Sequence, residues 1–206
     1  PYVNDAKAVS IADSKSSTAI FPTRFTVSTE DYLLARRLYM YVPSSALSIV
    51  KSFAEFTISH QGQEIVEKSG LISQNIKLEK SYKVGNAPKK YNEYTEMASR
   101  LSVNFRFTSG SNELDNKAKR DLSRLLHFME INPGRRVVLM GFSDITGVPE
   151  KNKSLSLLRA HVLEKELTAR GINVTAVEGF GAELPIASNS TKLGRSRNRR
   201  VEVWVF

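Results

Sequence analysis

The stretch LSVNFRF, residues 101–107, decides how the C-terminal half of the chain folds. Every second residue is apolar, so Leu101, Val103, Phe105 and Phe107 fall on one side of an extended backbone. That period of two is the mark of a strand with one face on a core. Downstream, Leu114, Ala118, Leu122, Leu125, Leu126 and Met129 recur at helical spacing and stop before Asn132-Pro133-Gly134, which cannot continue a helix. Arg136 to Gly141, with VVLM at its centre, reads as an apolar strand. Ser154 is placed to cap a helix with the apolar line Leu155, Leu158, Val162, Leu163 and Leu167, closed by Gly171. Val174 to Phe180 is a third strand. Residues 181–198, punctuated by Gly181, Pro185, Asn189, Gly194 and Asn198, read as a long loop. In the closing RRVEVWV, Val201, Val203 and Val205 face one way. The order β-α-β-α-β-β predicts an α+β or α/β sandwich with helices packed on one sheet.

Upstream the signals are shorter. KAVSIA (7–12) and RRLYMYVP (36–43) suggest short strands. Residues 44–60 suggest a helix capped by Ser44 or Ser45, with Leu47, Val50, Phe53, Ala54 and Ile58 on one line. GQEIVEKSG (62–70) suggests a shorter helix stopped by Gly70. Segment 74–92 is polar and basic without a sustained period, so it reads as a linker or surface excursion, with Tyr91 to Arg100 as a lead-in helix. These shifts divide the chain into 1–75, a linker over 76–99, and a domain over 100–206.

The bulk properties narrow the function classes. Of the 206 residues, 41% are hydrophobic and 25% charged, enough to bury real cores. No run of about 18 apolar residues is present to span a bilayer as a helix. The absence of cysteine excludes disulfides, thiol catalysis and thiolate zinc sites. The start at Pro1-Tyr2-Val3, with no basic-then-apolar leader, suggests a piece of a longer protein. The net charge of +9 invites an anionic partner. Basic residues gather at 76–90 and 192–200, but without interleaved aromatic residues, so a solvated face is favoured over a nucleic-acid surface. His60, His127 and His161 stand apart, and there is no nucleophile elbow, P-loop or dinucleotide loop. The reading is therefore non-enzymatic, with no cofactor and no metal.

One pair of residues stands out. Asp144 sits in the Gly-bounded loop GFSDITG (141–147), just before a helix that carries Arg159. The two could form an ordinary surface ion pair, which contributes only about 0–1 kcal/mol. They could also hold the two ends of a zwitterion, because a carboxylate suits an ammonium and a guanidinium fork suits a carboxylate.

Five elements in order resemble the OmpA-like peptidoglycan-binding domain over about 100–206. They are NFRFTSGSNEL (104–114), GFSDITG (141–147), N-x-x-LSLLRA (152–160), GFGAELPIASN (179–189) and GRSRNRRVEV (194–203). The resemblance implies non-covalent binding of the meso-diaminopimelate in the peptide stem, in the periplasm and against the cell wall. It assigns Asp144 to the ligand ammonium and Arg159 to its carboxylate. Leu155, four residues before Arg159, matches a position lining the site. Thr108 and Ser109 match the loop whose backbone completes the pocket, and Asn152 the asparagine that shapes the 142–152 loop. Arg199 and Asn198 are expected to support the site, with Arg199 bonding loop carbonyls or a carboxylate beneath it. Two departures are visible. Phe142 stands where the family often has His, which is expected to alter packing. Thr108 stands where it often has Asp.

Residues about 7–73 resemble the C-terminal end of a phosphate-type periplasmic solute-binding protein, through KAVSIAD (7–13), ARRLYMYVP (35–43) and KSFAEFTISHQGQEIVEKSGLI (51–72). That resemblance implies a partial lobe fused to the wall-binding domain, and an alternative function in binding phosphate or a related anion. Arg36 or Arg37 could be asked to hold the anion, although such a pair is more often a solvated strand edge.

Overall fold

The computed structural model describes residues 7–15, 17–81, 84–107, 114 and 116–206. The chain forms two compact units, one of residues 1–11 and 20–75, the other of residues 12–19 and 76–206.

The first unit is helical. Helix α1 (Arg24–Ser28) opens on a capping box in which Thr23 and Thr26 satisfy each other's backbone N–H groups. Helix α2 (Ser48–Ile58) has Leu47 at its N-cap in place of the expected Ser44 or Ser45. Helix α3 (His60–Lys68) is capped by Ser59, whose hydroxyl accepts the Gly62 N–H at 3.2 Å. Gly70 takes a positive φ of 87° just beyond it, the stop that glycine permits. The strands expected at 7–12 and 36–43 do not form. Ile11 makes one isolated bridge to Ile20, and 36–43 has no regular structure. A strand is stabilised by a paired neighbour, and alternation alone does not supply one. Arg37, considered above for an anion, is engaged by the Glu30 carboxylate.

The second unit is a five-stranded sheet covered on both faces. Its strands are β1 (Leu78–Lys80), β2 (Ser99–Arg106), β3 (Val137–Gly141), β4 (Val174–Gly179) and β5 (Arg200–Val205). The order across the sheet is β1-β2-β5-β3-β4, with β3 and β4 parallel and the other pairs antiparallel. Helices α5 (Asn116–Ile131) and α6 (Pro149–Thr168) cover one face. There Leu101, Val103, Phe105 and Phe107 meet Leu122, Leu125, Leu163, Leu167 and the three valines of β5. The opposite face is covered as well. It carries helix α4 (Lys89–Met97), whose Tyr91 packs with Val138, Met140, Phe142, Phe180 and Trp204.

The stretch 76–99, read as a linker, thus holds β1 and α4. Its weak signal has a physical cause. All three residues of β1 are exposed at the sheet edge, and α4 buries only Tyr91 and Thr95. Helix α6 also starts earlier than expected. Val148 is the N-cap and Pro149 opens the helix, where its missing N–H is harmless. Ser154 lies inside, its hydroxyl donating to the Glu150 carbonyl at 3.0 Å. The loop expected over 181–198 contains a further helix, α7 (Lys192–Asn198), capped by Thr191.

Gly141 joins β3 to the site loop where α6 crosses closest. A Cβ there would lie 2.0 Å from the Ser156 carbonyl oxygen, which is backbone and cannot swing aside. Gly141→Ala is expected to lower stability by about 2–3 kcal/mol through overpacking, measured as a shift in the urea midpoint at unchanged slope.

Candidate functional site

Three chain segments meet at the C-terminal end of β3: the 142–148 loop, the inward face of α6, and the turn from α7 into β5. Helix α6 buries Asn152, Ser156, Arg159, Ala160, Leu163 and Leu167. Its inward stripe is therefore polar where it faces the loop and apolar where it faces the sheet. Leu158, from the expected apolar line, is exposed, and Leu155 is half-buried beside the stripe.

The first two residues of the site loop are pinned. The Phe142 N–H donates to the Arg200 carbonyl at 2.7 Å and the Ser143 N–H to the Gly181 carbonyl at 2.7 Å. Asp144 then turns the chain. One carboxylate oxygen accepts the Thr146 N–H at 2.8 Å, and the other accepts from Nη1 of Arg199 at 2.7 Å. Arg199 is itself anchored by Nε, which donates to the Phe107 carbonyl at 3.3 Å. Asp144 thus takes as its ion-pair partner a residue 55 positions away, at the entrance to β5.

Arg159 is fully buried, with its guanidinium carbon 5.5 Å from the centre of the Phe107 ring. Burial and the like charge of Arg199 pull its pKa down to about 10, against the opposing pull of Asp144. Asp144 moves the other way relative to its charge. Burial works against its ionised form, but the bonds from Arg199 and Thr146 outweigh this and hold it below the usual 3.8. A carboxylate whose folded pKa is depressed stabilises the fold above its unfolded value and loses that contribution as pH falls through the folded value. Arg199→Gln should therefore flatten the acid limb of stability below about pH 4, followed by thermal unfolding across a pH series.

A second layer holds the loop from behind. Asn198 is fully buried. Its side-chain oxygen accepts the N–H groups of Ile186 and Ala187, both at 3.0 Å, and its amide donates to the Ala187 carbonyl and to Asn189 Oδ1, both at 2.9 Å. Asn189 Oδ1 in turn accepts the Ile145 N–H at 3.2 Å. Asn152 is buried in the first turn of α6, its backbone N–H on the Val148 carbonyl at 3.0 Å. A Cβ on Gly147, which has a φ of 98°, would lie 3.6 Å from its side-chain oxygen. Phe142 points to the other face of the sheet, stacked on Phe180 and lying 4.0 Å from the Arg200 guanidinium carbon. Its role there is packing.

The structure thus brings Asp144, Arg159, Asn152, Asn198 and Arg199 to one end of the sheet. Thr108 and Ser109 lie outside the described residues. Sequence reading left out Asn189 and Phe107. Asn189 closes the element GFGAELPIASN, so its place in that motif was the available signal. Phe107 was counted only as a core residue of its strand. Among the described residues no cluster of His, Asp and Glu could hold a metal ion, and no helix is long and apolar enough to cross a membrane.

Residues 106–199 match the model of the OmpA family. The chain is 41% identical over 86 residues to the peptidoglycan-binding protein ArfA of Mycobacterium tuberculosis, a match covering 41% of this chain and 26% of that protein. It is 33% identical over 110 residues to the peptidoglycan-associated lipoprotein of Pseudomonas putida, covering 52% of this chain and 66% of the relative. The crystal structure of the peptidoglycan-associated lipoprotein from Burkholderia pseudomallei is similar at 21% identity and a TM-score of 0.47, over 50% of this chain and 89% of that one. The chain spans about a quarter of the length of the mycobacterial relatives. The solute-binding likeness expected for residues 7–73 finds no support in these matches. The likeness to the OmpA family lies over residues 106–199.

Proposed function

We propose that this domain binds peptidoglycan non-covalently through the meso-diaminopimelate of its peptide stem, and so anchors a cell-envelope protein to the wall in the periplasm. The observation that carries the reading is a fully buried guanidinium, Arg159, brought to the same end of the sheet as a carboxylate, Asp144, that Arg199 and Thr146 hold in place. The far carbon of diaminopimelate bears an ammonium and a carboxylate together. Asp144 takes the ammonium and Arg159 the carboxylate, each as a charge-assisted hydrogen bond. The names of the mycobacterial and pseudomonad relatives, which refer to peptidoglycan, support the assignment.

The charge state of Arg159 fits this role. Its folded pKa lies below the ordinary arginine value, so folding disfavours its charged form, and the buried cation costs stability at neutral pH. A ligand carboxylate beside it offsets that cost. Leu155 lines the approach from α6, and Asn152, Asn198 and Arg199 hold the loop in shape. Purified diaminopimelate-type sacculi should retain the parent chain and release Asp144→Ala and Arg159→Ala. Equal retention of all three would sink the assignment.

A further inference from the structure

The lip of the site carries an apolar feature that the charged pair does not use. Ile145, the residue next to Asp144, is 63% exposed, and Val148, on the other side of Gly147, is 49% exposed. Single apolar residues on a surface need no explanation. Ile145 differs because its backbone is held on both sides. Its own N–H is tied to Asn189 Oδ1 at 3.2 Å, and the next N–H, that of Thr146, is tied to Asp144 Oδ1 at 2.8 Å. The turn then passes through Gly147 at φ 98° into Val148, whose carbonyl accepts the Asn152 N–H at 3.0 Å. With its backbone tied on both sides, Ile145 presents an aliphatic side chain to water next to the acid.

We propose that Ile145 is a specificity-determining residue, which packs on an alanine methyl of the stem peptide next to the diaminopimelate held by Asp144. The domain then reads a peptide, with Val148 extending the same apolar lip, and the free amino acid is the poorer ligand. This inference rests on the assignment of Asp144 and Arg159 to diaminopimelate.

The test titrates the full chain by calorimetry with two probes, a synthetic L-Ala-D-Glu-meso-diaminopimelate-D-Ala tetrapeptide and free meso-diaminopimelate. Ile145→Ser is expected to weaken the tetrapeptide about fivefold to tenfold, the effect of losing one partly buried aliphatic contact. Its affinity for the free amino acid should stay within about twofold of the parent. Ile145→Val should recover most of the lost affinity. Unchanged tetrapeptide binding by Ile145→Ser, or an equal loss for both probes, would overturn the role of Ile145 while leaving the charged pair intact. If the parent binds neither probe, or Asp144→Ala binds both as well as the parent, the underlying assignment fails and this inference falls with it.

Discussion

Arg159→Met should cost the domain about 2–5 kcal/mol of affinity for diaminopimelate peptides while leaving it folded. The functional loss follows from burial. Arg159 is fully buried beneath the site, so a ligand carboxylate meeting it is shielded from water, where a charge-assisted bond is stronger. Methionine keeps the unbranched stem against Phe107 but offers no donor. Stability should change little. Burial and the neighbouring charge of Arg199 already disfavour the Arg159 cation, and Asp144 keeps its bonds to Arg199 and Thr146 when Arg159 is replaced. The thermal midpoint should therefore stay within a few degrees of the parent in the same preparation that fails to bind. A variant that binds normally would show that the site uses another cation. One that unfolds would show that Arg159 serves the fold first.

The largest loss of stability is expected at Glu202, on the other face of the sheet. Glu202 is 1% exposed in the middle of β5. Its carboxylate faces Arg200 at 2.8 Å and Arg100 at 3.3 Å, and it accepts from Trp204 Nε1 at 3.2 Å and from the Tyr91 hydroxyl at 3.3 Å. Glu202→Ala strips the counter-charge from two arginines, one of them 2% exposed, and should cost about 3–5 kcal/mol. It also removes the acceptor for Tyr91, so α4 should loosen first, visible as faster amide exchange over residues 89–97. Glu202→Gln keeps the shape and one acceptor oxygen, and should fall between the parent and the alanine variant in urea unfolding. Burial opposes the charge of Glu202, but Arg100, Arg200 and the Trp204 N–H outweigh it and lower its pKa. Its contribution is therefore full above the ordinary glutamate value and is lost as pH falls through the folded one. The Glu202→Gln variant should show a shallower acid transition than the parent. If Glu202→Ala unfolds at the parent's urea midpoint, the buried network contributes nothing net.

Local chemistry was legible wherever a residue's neighbours in sequence decide its state. The alternation of LSVNFRF and RRVEVWV named the residues that face α5 and α6, because a period of two needs only the pleat of one strand. Asp144 and Arg159 could be singled out as the charged pair because their types and loop context sit within twenty residues of each other. Periodicity failed on α6. The line drawn through Leu155 and Leu158 is not the inward face, since that face mixes Asn152, Ser156 and Arg159 with Ala160 and Leu163. A stripe that is half polar carries no hydrophobic period. It failed in the first unit for the opposite reason. RRLYMYVP has the composition of a strand, but among the described residues no neighbouring strand pairs with it.

By itself, then, the sequence determined the four strands and the two long helices of residues 100–206, and singled out Asp144 and Arg159 as a candidate acid and base. Only the tertiary structure decided that Asp144 pairs with Arg199, that Asn198 and Asn189 brace the loop, and that α4 closes the second face through Tyr91 and Glu202. Each of these contacts joins residues that lie far apart in the chain. Their partners are chosen by how β5 threads between β2 and β3, and a local pattern carries no record of that choice.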